Sequence, residues 1–394
     1  MKVLDTFLTF FKLGLISFGG PVAHLAYFQN EFVEKRKLLS EQSYMDLVSF
    51  CQFLPGPASS QVAMAIGLQR ASYLGLLASW IGFTLPSSLV MLSFAYGMLQ
   101  YGDVLGSGWI HGVKAAVVGV VGYAVLKMAK AHAPDLKRIA IVLMATIIPH
   151  LILSAWGQVL SIFLGALAGL LFLENETKHL QMGAKTDETP SINVAVASIA
   201  LFIFCLSVIA LPTLSAMYES HSILLFDRFY RVGSLVFGGG HVVLPLLKAE
   251  LVHTGFIPTE IFLAGYGIVQ AMPGPLFSLA SYLGAVAQTE LHLVWGSFIA
   301  LFAIFLPSSL MIIGGLPFWN LLRKRRLVRR PLIGINAAVV GLLIAAFYDP
   351  VLVEGITGIT TGIIAVVSFI LLAILKVPAW SIVIFGSIAG AVVL

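Results

Sequence analysis

Gln52-Phe53-Leu54-Pro55-Gly56-Pro57 lies between two long apolar runs, and Gln270-Ala271-Met272-Pro273-Gly274-Pro275 repeats it later in the chain. A regular helix cannot carry Pro-Gly-Pro in its interior. Each proline removes a backbone donor and clashes with the preceding turn, and the residue before proline avoids helical angles. The surrounding chain is nonetheless lipid-soluble: 59% of its 394 residues are hydrophobic and 10% are charged, where a soluble protein carries about 25%. Mean hydropathy is +0.98. Non-helical backbone at membrane depth survives only inside protein or beside a water-filled cavity. Each Pro-Gly-Pro is therefore expected to join two half-helices within the bilayer, as transporters do at ion sites.

The chain is a duplication. Phe18-Gly19-Gly20-Pro21 matches Phe237-Gly238-Gly239-Gly240, Glu31 matches Glu250, and the Gln-x-x-Pro-Gly-Pro stretches match. Leu85-Pro86-Ser87-Ser88-Leu89 matches Leu306-Pro307-Ser308-Ser309-Leu310, Ala115 to Gly119 matches Ala337 to Gly341, and Gly165-x-x-x-Gly169 matches Gly386-x-x-x-Gly390. The offset stays between 218 and 222, which sets two copies at about 1–172 and 223–394. The first copy reads as six apolar segments, about 5–32, 43–69, 72–99, 109–131, 138–149 and 151–172. The second reads as 224–250, 260–287, 291–318, 332–348, 356–375 and 378–394. Several are shorter than the roughly 20 apolar residues of a simple span. Between the copies, in a linker of 173–222, lie a polar loop from Glu174 to Pro190 and one unmatched apolar run, Ile192 to Leu211.

That extra run implies inversion of the second copy. Cytoplasmic loops collect Lys and Arg. The net charge of +5 is read as topology in this way, not as nucleic-acid binding. In the first copy Lys35, Arg36 and Lys37 follow segment one, Arg70 follows segment two, and Lys127, Lys130, Lys137 and Arg138 follow segment four. The loop from Tyr101 to Gly108 has none. In the second copy the basic residues sit after segment three, from Arg323 to Arg330, and none follow segments one and two. This is the out-of-phase pattern of an inverted repeat. Basic residues on both sides of segment two place both its ends in the cytoplasm, so it should be re-entrant. Segment one, broken at Gly-Gly, is open to the same reading. The expected fold is all-α and polytopic, with two inverted repeats of broken helices. The N-terminal stretch reads as retained, without a small-residue cleavage pattern.

Half-helix N-termini aim unsatisfied N–H groups and a positive dipole end outward, which makes them anion sites. Four are expected, after Gly20, Pro57, Gly240 and Pro275. The candidate binding residues on the first copy are Gly19, Gly20, Gln52, Pro55, Gly56, Pro57, Ser59 and Ser60, with Gln61 as a further donor. On the second they are Gly238, Gly239, Gly240, His241, Gln270, Pro273, Gly274, Pro275 and Ser278. Packing alone is the alternative. Lys12 and Arg231 occupy matching positions before the Gly-Gly breaks and would supply charge, since a cation within an apolar run is costly. Snorkelling is the alternative for Lys12, and Asp227 or Arg228 stand close enough to share the role of Arg231. Glu31, Asp46, Glu250 and His24 are proton-coupling candidates. For the carboxylates the alternative is a cap or a salt bridge to Lys35 or Arg36, and for His24 a hydrogen-bonded structural role. The Pro-Ser-Ser stretches read mainly as kinks, and the Gly-x-x-x-Gly pairs as close helix packing. Cys51 and Cys205 read as small buried hydrophobes. Enzyme, phosphate-loop and metal signatures are missing from the sequence, and no cofactor is expected. With no ATP-hydrolysing domain, pumping would draw on an ion gradient.

At these residues the chain resembles a known family. Phe18-Gly-Gly-Pro-Val-Ala-His-Leu25 with Gln52-Phe-Leu-Pro-Gly-Pro-Ala-Ser-Ser-Gln61 looks like the N-terminal half of the chromate ion transporter family. Phe237-Gly-Gly-Gly-His-Val-Val-Leu-Pro245 with Gly265 to Pro275 looks like its C-terminal half, and nearly the whole chain takes part. The resemblance implies proton-driven export of chromate from the bacterial cytoplasm, an inner-membrane location and chromate resistance. One departure is the tryptophan common before segment two in such proteins: Leu38 and Leu39 precede Ser40-Glu41 here, and Phe256 stands in the second copy. The residues alone support an anion transporter, with a homodimer left open. A sulfate or other oxyanion carrier and a non-transporting membrane scaffold are the rival readings.

Overall fold

The computed structural model describes residues 1–101, 108–152, 155–173, 192–218, 220–237, 243–287, 292–319 and 326–394. Those residues are helical, with no strands among them. Five helices are long and apolar enough to cross a membrane. Gly238, Gly239, Gly240 and His241 lie outside the described residues, as do the 174–190 loop, Arg323, Lys324 and Arg325.

Helix α1 (Lys2–Ile16) stops where the chain turns through Ser17, Phe18 and Gly19, and α2 (Gly20–Gln29) starts with Pro21 in its first turn and continues into a π-helical turn, Asn30–Lys35. Pro21 fits there because its absent N–H would be unpaired anyway. Helix α3 (Glu41–Phe53), capped by Ser40, runs to the first Pro-Gly-Pro. Helix α4 (Ala58–Tyr101) leaves it, and non-helical angles at Ala71 and Ser72 divide it into limbs 58–70 and 73–101. The limbs fold against each other because neither Gly67 nor Gly75 has a side chain to hold them apart. The break falls at the 69/72 boundary expected from the repeat.

Helices α5 (Gly108–His132), α6 (Leu136–Leu151) and α7 (Ala155–Phe172) complete the first copy, and α8 (Val194–Met217) is the unmatched helix, long and apolar enough to cross a membrane. The second copy repeats the order. Helix α9 (His221–Leu235) precedes its break, and α10 (Val243–Leu247) runs into a π turn, Lys248–Val252. Helix α11 (Thr259–Gln270) reaches the second Pro-Gly-Pro, and a 3-10 turn leads to α12 (Leu279–Val286). Helices α13 (Leu293–Gly315), α14 (Arg326–Ala346), α15 (Ile359–Ala373) and α16 (Ala379–Val393) follow.

The early helices pack alike in both copies. Helix α1 lies along the second limb of α4, and α9 lies along α13. Gly14 meets the Phe83 carbonyl, and Gly233 meets that of Ile304, at matching positions. The later helices are exchanged. Helix α5 packs on α15 and α16 of the other copy, and α14 packs on α6 and α7. Gly112 rests against Gly386 and Gly390, while Gly334 rests against Gly165 and Gly169. The two Gly-x-x-x-Gly pairs therefore form close seams, as read, and both seams join opposite copies.

Ion pairs locate the hairpin ends. Asp5 near the start of α1 bridges Arg36 at 3.1 Å and Arg70 at 2.5 Å. The start of segment one, its end, and the end of the first limb of α4 thus meet at one place. Segments one and two of the first copy both return to the end they left.

Candidate functional site

Each Pro-Gly-Pro meets the break of the opposite copy. The Gly56 N–H donates to the Val236 carbonyl at 2.6 Å, and the Gly274 N–H donates to the Ser17 carbonyl at 3.0 Å. Ser17 and Val236 stand at the same position in the two repeats, one residue before Phe-Gly-Gly. Gly56 and Gly274 hold φ of +125° and +95°. Glycine reaches such angles without the strain a side chain incurs, and they turn each amide toward the partner copy.

The Pro-Ser-Ser stretches join the same crossing. A Cβ on Gly274 would come within 2.9 Å of Ser87 Oγ, and one on Gly56 would overlap Ser308 Oγ. Gln61 Nε2 donates to the Pro55 carbonyl at 2.6 Å and reaches Ser308 Oγ at 3.4 Å. Ser281 Oγ donates to the Ser88 carbonyl at 2.9 Å, and Ser309 Oγ contacts Met64 Sδ at 3.5 Å. These serines do more than fill their kinks: Ser87 and Ser308 press one half against the other.

His24 ties the two breaks of the first copy together. Its Nε2 lies 3.1 Å from the Ser17 carbonyl and its Nδ1 lies 3.2 Å from Ser59 Oγ. A carbonyl only accepts, so Nε2 carries the proton and, in the neutral ring, Nδ1 accepts from Ser59. The Ser17 carbonyl thus receives both the Gly274 amide and the histidine. The hydrogen-bonded structural role is the one this geometry displays.

Ser17, His24, Ser59, Ser60, Gln61, Thr84, Ser87 and Ser308 are each at most 3% exposed. Among the described residues, Ser17 Oγ, Ser60 Oγ, Gln61 Oε1 and Thr84 Oγ1 are buried without a hydrogen-bond partner. A buried polar group left unmatched costs about 1–3 kcal/mol. Three of these four are hydroxyls, which can turn a proton toward an incoming oxygen. The buried segments that meet at the crossing therefore carry three hydroxyls with donor capacity to spare.

Other predicted residues fall elsewhere. Pro55, Gly56, Pro57, Ser59 and Ser60 are buried at the crossing, as are Gly274, Pro275 and Ser278, whose hydroxyl caps back onto the Pro275 carbonyl at 2.8 Å. Pro273 is half-buried. Gln52 and Gly19 are exposed and Gly20 half-buried. Neither predicted cation supplies charge to the crossing. Lys12 is exposed on the outer side of α1, because the buried stripe of that helix runs through Thr6, Thr9, Phe10, Leu13 and Gly14. Arg231 is bound to Asp227 and, at 3.2 Å, to Glu250. Arg228 donates to the Glu250 carbonyl at 2.8 Å and to Thr254 Oγ1 at 2.5 Å. Glu31 is paired with Arg36 at 2.6 Å, the salt bridge weighed from the sequence. Asp46 is half-buried on α3.

Sequence reasoning passed over Ser17, Thr84 and Val236, which carry no motif of their own. It also passed over Lys114, a buried cation on α5. An ammonium inside an apolar run was a legible signal there.

Apolar helices broken in mid-run, folded back and interlocked around a buried polar centre define a polytopic helical membrane protein. The chain belongs to the chromate transporter family, whose profile matches residues 4–170 and 223–391, and that family comprises transport proteins, not enzymes. The chain is 26% identical to the chromate transport protein of Pseudomonas aeruginosa over 388 residues, covering 92% of this chain and 85% of that one. It is 25% identical to the chromate transport protein of Cupriavidus metallidurans, covering 92% and 86%. An uncharacterized transporter of Methanocaldococcus jannaschii is 26% identical, covering 94% and 90%. No solved structure matches the chain.

Proposed function

We propose that the chain exports chromate across the bacterial cytoplasmic membrane, driven by the proton gradient, and so confers chromate resistance. The reciprocal crossing of Gly56 and Gly274, built from segments that carry unmatched buried hydroxyls, is the observation that carries this reading. Chromate is a tetrahedral dianion, and its four oxygens can take the hydroxyls of Ser17, Ser60 and Thr84 together with half-helix amides. Neutral donors suit a carrier, because a site dense in cations would hold a dianion too tightly to release it. Family membership and the names of the relatives support the substrate.

In this reading the halves lie antiparallel in the bilayer, with Lys37, Arg70 and Arg326 on the cytoplasmic side. The proton is carried by the Asp227–Arg231–Glu250 group. Asp227 and Glu250, at 1% and 6% residue exposure, share Arg231, with Arg228 held on the Glu250 carbonyl, and a proton on either carboxylate loosens that pairing.

Everted membrane vesicles containing the protein should accumulate chromate when made acidic inside and should stop when the gradient is collapsed. Ser60→Ala and Thr84→Val should each lower the flux about tenfold, the worth of one buried hydrogen bond to a charged ligand. Sulfate flux equal to chromate flux would widen the substrate to tetrahedral oxyanions in general. Absence of chromate flux in folded wild-type protein would overturn the reading.

A further inference from the structure

The ammonium of Lys114 is the cation least accounted for by the transport reading. Lys114 lies on α5 and is 2% exposed. Its Nζ stands 3.5 Å from Glu260 Oε1 and 3.7 Å from Glu354 Oε2. Charge-assisted N–H···O bonds close to about 2.7–2.9 Å, so neither carboxylate grips it. Both partners reach in from water, with side chains 67% and 37% exposed. A buried charge held this loosely by two exposed acids can change partners.

Its surroundings point to an anion. His111, one turn earlier on the same face of α5, has its Nδ1 buried without a partner among the described residues. Val113 and Val117 of the same helix pack on Gly267 of α11. Helix α11 begins beside Glu260 and ends at Gln270, next to the second Pro-Gly-Pro. Ten residues of helix, roughly 15 Å, separate the two levels. Lys114 therefore stands beside the helix that links the crossing to the surface bearing Glu260. The matching position in the second copy is Asn336, so only one end of the molecule has this cation.

We propose that Lys114 is a second anion-binding position, a staging post between the crossing and the outer face. There the tetrahedral oxyanion displaces Glu260 and Glu354 from the ammonium. This inference rests on the transport reading above. A dianion carries twice the charge of either carboxylate and displaces it. The displaced acids remain close by, and their return to Lys114 expels the anion outward. Occupancy is brief because the site contains its own competitors, as a conducting pathway requires.

The acids supply a test with a sign. Right-side-out vesicles loaded with chromate and given labelled chromate outside report the half-saturating external concentration by exchange. Lys114→Gln should raise it about tenfold, the loss of one charge-assisted contact, and Lys114→Arg should stay near wild type. Glu260→Gln combined with Glu354→Gln should lower it about threefold, because the competitors are gone. A merely structural ion triad reverses that sign: removing the acids would leave a buried unpaired cation and impair exchange as Lys114→Gln does. An unchanged or higher half-saturation in the acid double variant overturns the proposal, and that variant decides alone if Lys114→Gln fails to reach the membrane. Wild-type vesicles inert to both chromate and sulfate would defeat the transport reading itself. Active wild type with unaltered variants would defeat only the staging post.

Discussion

At the scale of single residues, three glycines with positive φ differ in what surrounds them. A Cβ on Gly20 meets nothing within 4 Å, while one on Gly56 overlaps Ser308 and lies 2.6 Å from Gln61 Nε2. Gly20→Ala should therefore cost only the left-handed backbone penalty, about 1–2 kcal/mol. Gly56→Ala adds overpacking and should cost roughly 3 kcal/mol or more. Gly274→Ala, facing Ser87 Oγ at 2.9 Å, should fall between them. Thermal unfolding of the three variants in detergent checks the order; equal losses would mean that the crossing yields easily. The sequence made both Pro-Gly-Pro glycines legible because proline forbids continued helix. It hid Ser17 and Val236, which matter through their carbonyls, and any residue type carries one.

At the scale of helices, the repeat revealed what hydropathy alone conceals. Positions 58–100 form one apolar run long enough to be taken for a single crossing. Arg70 and the register of the second copy mark the division at Ala71 and Ser72, where the backbone turns. If the folded-back segments enter and leave on one side, cysteines placed at Lys37 and Ser72 should react with the same impermeant reagent. A cysteine at Glu260 should react only from the opposite side, with Cys205 replaced by serine throughout. Labelling of Ser72 from the side that labels Glu260 would exclude the re-entrant reading. The π turns following α2 and α10 were not legible, since no residue pattern in either stretch sets them apart from ordinary helix.

For the molecule as a whole, the exchange of α5 and α14 between copies means that neither repeat closes its own core. Gly112 needs Gly386 and Gly390, and Gly334 needs Gly165 and Gly169. A chain ending near 190 should be degraded when made alone and rescued when the remainder is supplied as a second polypeptide, with the two copurifying. A stable, monodisperse first half on its own would contradict this. The duplication was readable from the paired motifs, but which copy each helix packs against was not. A motif identifies its own position and says nothing of a partner some 200 residues away.

Helix α8 has no counterpart in either repeat and touches the rest through Ala197 and Leu201 against Gly314, through the Phe204 carbonyl that accepts from Tyr230, and through Ser215 on Asp227. Most of its surface faces outward. If the two copies lie antiparallel as proposed, its chief contribution is parity: an odd number of passes allows two copies of one polypeptide pattern to face each other head to tail. Exchanging its outward residues for plain leucine should go unnoticed, whereas excising the helix should turn the second copy upside down and leave each proline hinge without its mate.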